Sequence, residues 1–267
     1  MPVAHLFLAP HFDDVALSCG GEVARVVAAG ASAAIVTVFA GTPPVEMPLT
    51  PYAQWHLVEW GVASVAEALA TRRAEDEAAA TALGASLAML PFVDGVFRED
   101  RYHSWDELRT RLVPADAQLP AAIAAALLAR DLIGPETVVT GPLAIGRHVD
   151  HQAVYAAMRL LVSQGVCVRG YEDYPYAADA EEYRARMAAP DLAGALPEII
   201  DIAPWLATKV RAIACYPSQL PLLFPDVSMP EAVRAYGNLV AGGAGIAERF
   251  WWLGREAQYD SRTVGNS

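Results

Sequence analysis

The chain has 267 residues, of which 54% are hydrophobic and 19% charged, a composition typical of a globular protein with a large core and not of a disordered chain. Its 19 basic and 31 acidic residues give a net charge of −12, which disfavours nucleic acids and anionic membrane surfaces as partners. The three cysteines form no CxxC pair, so neither a disulfide framework nor a thiolate zinc site is indicated.

Apolar runs alternate with helical patterns through the first 175 residues. We predict strands over 4–9, 33–40, 85–92, 136–142 and 166–173, and helices over 14–30, 64–84, 119–132 and 151–165. Four prolines between residues 41 and 51 predict a loop. Strands and helices in alternation are typical of a parallel sheet with helices on both faces, so the predicted fold class is α/β.

The pattern is looser after residue 175. We predict a strand over 198–202, a helix over 203–216 and a helix near 229–241, with a loop before the last helix. The aromatic run ERFWWL, residues 248–253, is interpreted as core or as a contact in a homo-oligomer. Because neither an internal repeat nor a linker interrupts the sequence, we predict one domain over 1–267, with a core of 1–175 and a looser part, 176–267.

Two features favour a cytoplasmic protein that does not enter a membrane. The first residues lack the basic segment of a signal peptide, and the chain turns polar after residue 10. No stretch approaches the roughly 18 uninterrupted apolar residues of a transmembrane helix. Cysteines without a pairing pattern also fit a reducing compartment.

Two short motifs contain half of the six histidines. Each follows the end of a predicted strand: APHFDD, residues 9–14, and HVDH, residues 148–151. Because the carboxyl ends of parallel strands meet at one edge of a sheet, we expect the two motifs to meet in space. Two imidazoles and one carboxylate with an open fourth position are typical of catalytic zinc, which predicts His11, Asp14 and His151 as metal ligands.

The other polar residues of the motifs have the chemistry of proton transfer. Asp13 lies between the predicted ligands, where a carboxylate could take a proton from a water molecule that the metal acidifies. His148 precedes His151 by one helical turn and is predicted to act as an acid or to stabilise an oxyanion, with Asp150 holding its ring in one tautomer. Zn²⁺ is the expected cofactor, although this donor set also accepts other divalent transition metals.

Simpler structural roles compete with this interpretation. Asp13 or Asp14 alone is a frequent N-cap residue, and His148 and His151 could be surface residues at the start of a helix. Two motifs at strand ends that together complete a ligand set favour the metal site. The remaining histidines are interpreted as hydrogen-bonded bystanders: His5, His56 and His103.

Together, PHFDD and HVDH resemble the paired motifs of the PIG-L/LmbE-like zinc-dependent N-deacetylases. The resemblance covers most of the first 175 residues in order and spacing, and the segments 71–85, 91–95 and 209–219 also look like family segments. It implies a Rossmann-like fold and removal of an acetyl group from an N-acetylglucosamine-type sugar. It also implies the ligand and proton-transfer roles given above, and substrate contacts at Arg72 and Asp94.

The sequence departs from the family pattern at three positions. Phe12 and Val15 stand where the family often has Pro and Glu, which leaves the predicted ligands intact. Gly146 stands two residues before His148, where some relatives carry a tyrosine that helps to polarise the substrate carbonyl. That task then falls to the metal, to His148 or to an unidentified donor such as Tyr174, which lies in the aromatic and acidic segment YEDYPY.

The predicted substrate contacts have structural alternatives. Arg72 could equally belong to a solvated helix face with Glu75 and Asp76. Asp94, followed by Gly95, also fits a simple turn. The segment that contains Tyr174 could line a sugar pocket or could be a packed loop.

We therefore predict a metal-dependent hydrolase that removes an N-acetyl or other N-acyl group from an amino sugar or a sugar-bearing metabolite. The alternative is a metallo-amidase that acts on a small N-acylated molecule without a sugar. A non-catalytic nucleotide-binding protein is less favoured, because neither GxGxxG nor GxxxxGK follows the first predicted strand.

Overall fold

The structure, a computed structural model, describes residues 1–99 and 101–254. Its strands are β1 (His5–Ala9), β2 (Ala33–Thr37), β3 (Ser86–Met89), β4 (Val138–Pro142), β5 (Cys167–Tyr171), β6 (Leu196–Asp201) and β7 (Ala247–Trp252). Its α-helices are α1 (Asp14–Ala28), α2 (Pro51–Glu59), α3 (Val65–Leu83), α4 (Trp105–Leu108), α5 (Leu119–Leu128), α6 (Val149–Ser163), α7 (Ala180–Met187), α8 (Leu206–Ile213), α9 (Leu220–Leu223) and α10 (Met229–Val240). No helix in these two ranges combines the length and the apolar content needed to cross a membrane.

The strands form one sheet in the order β3-β2-β1-β4-β5-β7-β6. The five strands from β3 to β5 are parallel, whereas β7 runs antiparallel to both β5 and β6. The predicted α/β fold with a mostly parallel sheet is therefore confirmed. The chain steps from β1 outward to β3 and then returns to the other side of β1 with β4, so the strand order reverses between β1 and β4. Ligands of open α/β sheets bind at such a switch point.

Both faces of the sheet are covered by helices, and the side chains of β1 alternate between the two faces. Phe7 and Ala9 pack into a core that includes residues of α1, α3 and α8. Leu6 and Leu8 pack into a second core that includes residues of α5 and α6. This burial on both sides explains why β1 is an uninterrupted apolar run.

The predicted elements lie within a few residues of the observed ones, but five observed elements were not predicted: α2, α4, α7, α9 and β7. All but the last residue of the aromatic run 248–253 belong to β7, where Phe250 is fully buried and pairs with Tyr171 of β5. The proline-rich segment is followed by α2, whose start carries two recognisable signals. Thr50 accepts a hydrogen bond from the N–H of Ala53 at 3.0 Å, and proline occupies the first helical position.

Candidate active site

The two motifs leave the sheet side by side at the switch point. After β1, the backbone N–H of His11 donates to Oδ2 of Asp14 at 2.7 Å, so the turn directs both residues to the same place. After β4, His148 is the N-cap of α6 and its Nδ1 accepts a hydrogen bond from the backbone N–H of Asp150 at 3.2 Å. The expectation that the motifs meet is met by the geometry, because the rings of His11 and His148 lie 4.8 Å apart.

Nitrogen and oxygen atoms converge at this point in a manner suited to a metal ion. One nitrogen of each of His11, His148 and His151 lies within 4.8 Å of the others. Oδ2 of Asp14 lies 3.6 Å from Nδ1 of His11 and 3.4 Å from Nε2 of His151. Ligand atoms about 2.0–2.2 Å from a tetrahedral zinc are roughly 3.4 Å apart, so the Asp14 carboxylate and the two imidazoles are spaced as such a metal requires.

A carboxylate stands behind each of these two imidazoles. Nδ1 of His151 lies 2.7 Å from Oδ1 of Asp173, and Nε2 of His11 lies 3.0 Å from Oδ2 of Asp150. Such a partner fixes the tautomer and leaves the other ring nitrogen free for a metal. Asp173 was not predicted as a site residue, although its place immediately beyond the end of β5 was a signal that could have identified it.

Asp150 is held in place by several donors. Its carboxylate accepts hydrogen bonds from the Gly95 N–H at 2.8 Å and from the Arg98 guanidinium. Arg98 was not predicted as a site residue. Burial alone would raise the pKa of Asp150, but Arg98 and His11 hold it well below its usual range. Asp150 was expected to orient His148 through its side chain. Here its backbone N–H contacts His148 and its carboxylate contacts His11, and the role predicted for it stays a prediction.

The electrostatic potential of the site favours a cation. Burial alone would lower the pKa of His11, but the carboxylates of Asp94 and Asp150 raise it to about 10. Burial and the neighbouring His11 instead hold the pKa of His148 well below its ordinary value. His148 is therefore a neutral imidazole. Because its Nδ1 accepts a backbone hydrogen bond, its proton sits on Nε2.

Asp13 and Arg72 do not have the simpler structural roles considered from the sequence. Asp13 occupies the N-cap position of α1 but makes no capping hydrogen bond, and its Oδ2 lies 3.3 Å from Nη2 of Arg72. Arg72 is buried on α3 together with Glu75 and Asp76, so it does not belong to a solvated helix face. The guanidinium thus lies against the Asp13 carboxylate, beside the predicted metal ligands.

The motifs form the floor of a cavity of about 330 Å³, and the three predicted substrate contacts line it. Oδ2 of Asp94 lies 3.6 Å from Nε2 of His11. Oδ1 of Asp94 accepts a hydrogen bond from the Val96 N–H at 2.9 Å, so this residue also stabilises the turn. Tyr174 is largely buried, and its ring packs 4.9 Å from that of Tyr236. The walls also include apolar and aromatic side chains: Trp60, Phe97, Trp105, Tyr176, Leu222 and Leu223.

His56, interpreted as a hydrogen-bonded bystander, also lines this cavity. It projects from α2 and packs against Trp60, with ring centroids 5.1 Å apart. Its Nε2 is buried and makes no hydrogen bond within the described ranges 1–99 and 101–254. The sequence could not place His56 here, because α2 was itself not predicted.

Comparisons with known proteins agree with this geometry. The family described as "PIG-L: GlcNAc-PI de-N-acetylase" matches residues 6–162, a range that includes both motifs. The 2'-N-acetylparomamine deacetylase of Streptomyces fradiae is 32% identical over 223 residues, which cover 80% of this chain and 72% of that protein. The enzyme of the same name from Niallia circulans is 31% identical over 195 residues, which cover 67% and 70%.

A solved structure extends the likeness to the whole fold. Teicoplanin deacetylase Orf2, in its zinc-inhibited form, superposes with a TM-score of 0.76 and 26% sequence identity, over 93% of this chain and 97% of that chain. The family model matches more than half of the chain, and the alignment with the Streptomyces fradiae enzyme covers 80% of the chain. This chain therefore belongs to the PIG-L/LmbE-like family of N-acetyl deacetylases.

Proposed function

We propose that this protein is a metal-dependent hydrolase that removes the N-acetyl group from an amino sugar within a larger metabolite. The observation that carries the proposal is the convergence of Asp14 with His11 and His151, at 3.6 and 3.4 Å, beside the carboxylate of Asp13. The substrate class is supported by relatives named for N-acetylparomamine and by a structural neighbour named for teicoplanin.

The donor set fits a divalent transition metal, with Zn²⁺ as the expected ion. His11 through Nδ1, Asp14 through Oδ2 and His151 through Nε2 would hold it, because these atoms face one another and each ring is backed by a carboxylate. A bound metal would acidify a water molecule and polarise the acyl oxygen. Since the Orf2 structure is of a zinc-inhibited form, the metal that supports turnover has to be identified by a panel.

His148 is assigned outside this ligand set. Its Nδ1 accepts the backbone N–H of Asp150, so a metal at Nε2 would leave no nitrogen to carry the ring proton of a neutral imidazole. The Nε2–H group instead faces the cavity as a hydrogen-bond donor. It can stabilise the acyl oxygen as a hydrogen-bond donor. The proton transfer also predicted for His148 would need a second ring proton, which its lowered pKa disfavours.

The reaction then follows from the positions of these side chains. Asp13 accepts a proton from water as the water oxygen adds to the acyl carbon, and Arg72 keeps the carboxylate in place for this transfer. The C–N bond breaks when the amine nitrogen receives this proton from Asp13. Water has then been divided between the products, which are acetate and a free amine.

The cavity indicates how an N-acetyl sugar would be held. Arg72 and Asp94 offer charged groups to sugar hydroxyls near the reacting centre. The side chains of Trp60, Trp105 and Leu222 provide flat or apolar surface in the same cavity. Trp105 and Leu222 are exposed enough to contact a substrate, at 40% and 43%. This combination suits a polar sugar attached to a bulkier group.

The test is acetate release by protein stripped with a chelator and reloaded separately with Zn²⁺, Co²⁺, Ni²⁺ or Fe²⁺. Substrates are 2'-N-acetylparomamine, an N-acetylglucosamine-bearing glycopeptide and, as the non-sugar arm, N-acetyl amino acids. We expect metal-dependent acetate release from at least one sugar substrate and none from the amino acids. Release from the amino acids alone would favour the metallo-amidase, and no release from any substrate with any metal would overturn the proposal.

A further inference from the structure

The ring of Tyr176 occupies the space beside Gly146, two residues before His148. Gly146 has a φ of +84°, a conformation that favours glycine. A Cβ atom at this position would lie 2.5 Å from Cγ of Tyr176 and 2.7 Å from its Cδ1. Residue 146 therefore has to be glycine for Tyr176 to lie here, and the aromatic ring at this point of the site comes from the segment after β5.

Tyr176 lies against the metal ligands. Its ring centroid is 6.1 Å from that of His151, in an edge-on arrangement at 86°, and its side chain lines the cavity together with His11 and Asp13. No protein group within the described ranges accepts or donates a hydrogen bond at its hydroxyl. The phenol is therefore available to a substrate.

The position of the ring is fixed from the other side by Trp105, which stacks on Tyr176 with centroids 6.4 Å apart. Arg109 lies over Trp105 at 5.5 Å, donates from Nε to the carbonyl oxygen of Gly146 at 2.8 Å and pairs with Glu182 of α7. These contacts join α4, α7 and the turn before α6 around one tyrosine. Such a clamp restricts the ring before a substrate arrives.

Two neighbouring tyrosines make different contacts. The hydroxyl of Tyr171 donates to the carbonyl oxygen of Leu8 at 3.1 Å. Tyr174 packs its ring between Tyr236 and Phe224, at 4.9 and 6.3 Å. Of these tyrosines, Tyr176 is the one whose ring contacts the predicted ligand His151.

We propose that Tyr176 is a catalytic residue of the deacetylation, which donates a hydrogen bond from its hydroxyl to the acyl oxygen of the substrate. The role rests on the proposed function and deepens it. When water adds to the acyl carbon, the π electron pair of the carbonyl moves onto this oxygen, and the Tyr176 O–H stabilises the charge without giving up its proton. When the C–N bond breaks, the pair returns to form the carbonyl of acetate.

The experiment compares wild type with Tyr176→Phe, which keeps the ring and removes the donor. Tyr183→Phe, on α7 and outside the cavity, is the matched control. We expect kcat of the metal-loaded Tyr176→Phe protein to fall about 100-fold with KM changed less than about threefold, because the lost bond strengthens in the transition state. Metal content and melting temperature should match wild type. Sodium acetate, measured by calorimetry, should bind the variant about tenfold more weakly.

A second substrate separates a chemical role from a structural one. An N-trifluoroacetyl substrate has a more electrophilic carbonyl and needs less help from a donor, so the defect of Tyr176→Phe should shrink to about tenfold or less. A kcat of Tyr176→Phe within threefold of an active wild type would overturn the inference and leave the proposed function standing. An equal loss on both substrates would also overturn it. If the wild-type protein is inactive, the proposed function fails instead. The acetate-binding measurement then tests by itself whether the Tyr176 hydroxyl donates a hydrogen bond in the cavity.

Discussion

Two carboxylates decide which nitrogen of each candidate ligand faces the metal site. Asp173 contacts Nδ1 of His151 and also accepts the Ile145 N–H at 2.9 Å, so it is a rigid partner. Asp150 does the same for Nε2 of His11. The imidazoles are therefore oriented before a metal binds. Removal of either carboxylate should lower the metal affinity as well as the rate.

Asp173→Asn is predicted to weaken metal binding by about 10–100-fold, because the amide removes the negative charge behind His151 but keeps the side-chain shape. Competition with a chromogenic chelator measures the affinity directly. Asp226→Asn, on an exposed loop, is the control and should leave the affinity unchanged. An affinity within twofold of wild type for Asp173→Asn would show that this carboxylate does not support the metal site.

Asp13→Asn should separate metal binding from chemistry. The variant is predicted to keep its metal and to lose turnover by roughly a factor of 1,000, because the amide cannot accept the proton of water. Asp14→Ala is the converse, since it removes a predicted ligand and should lose the metal on dialysis. Elemental analysis and acetate release are measured on the same samples. A near-normal rate in Asp13→Asn, or full metal retention in Asp14→Ala, would reject the corresponding assignment.

The residues that the sequence placed correctly are those whose spacing along the chain reports their position in space. His11 and His151 each follow a strand end, so sheet topology alone brings them together. Arg98 follows one single-turn 3-10 helix and Tyr176 begins another, and in such short turns side-chain direction depends on packing that no periodicity encodes. Gly146 was noticed as a departure, but its meaning became clear only from the ring of Tyr176 beside it.

At the scale of elements, α1 is held to the sheet by a buried ionic network. The helix is interrupted at Cys19, whose φ of −141° is not helical, so the N–H groups after it lose their regular partners. Glu248 of β7 takes their place, with Oε1 accepting from Gly21 at 2.9 Å and Oε2 accepting from Glu22 at 2.8 Å. Lys209 of α8 completes the network, with Nζ 2.7 Å from Oε1 of Glu248.

Glu248→Gln is predicted to lower the free energy of unfolding by about 3–5 kcal/mol, because it leaves the Lys209 ammonium buried without a counter-charge. Urea unfolding followed by far-UV circular dichroism measures the change. Glu198→Gln, which alters a more exposed carboxylate on β6, should cost much less because Arg169 retains Glu22. A loss below about 1 kcal/mol for Glu248→Gln would mean that the network adds little to stability.

The buried ionic network also shows why the position of β7 in the sheet could not be predicted from the sequence. The parallel part of the sheet follows from local alternation of strands and helices, because each strand from β1 to β5 is linked to the next by a crossover that contains at least one helix. By contrast, β7 joins the sheet between β5 and β6, although more than 70 residues separate it from β5 in the chain. Glu248 of β7 also accepts a hydrogen bond from Gly21 of α1, which lies 227 positions earlier. The ERFWWL run was interpreted as core or oligomer contact because nothing local indicates a strand that pairs with distant partners.

At the scale of the whole molecule, a buried carboxyl group ties three parts of the fold together beneath the cavity. Asp76 of α3 accepts hydrogen bonds from Thr37 of β2 at 2.6 Å and from Tyr216, beyond α8, at 2.7 Å. Burial raises the pKa of Asp76 to about 7, the nearby Asp13 adds to the shift, and the hydroxyl donors together with Arg72 oppose it. The folded protein therefore retains a proton here that the unfolded chain loses near pH 4.

Asp76 should consequently make its own contribution to the pH dependence of global stability. Between about pH 4 and pH 7 the unfolded chain has released the Asp76 proton and the folded protein has not, so this contribution to stability falls as pH rises and then levels off above pH 7. Asp76→Asn removes the titration, so the unfolding free energy of wild type relative to Asp76→Asn should fall by on the order of 3 kcal/mol across this window. Urea titrations of both proteins at pH 5, 6, 7 and 8 measure the difference, with the exposed Glu77→Gln as control. A difference that is constant or rises with pH would show that Asp76 is ionised in the folded state, and its hydrogen bonds would then be those of a buried anion.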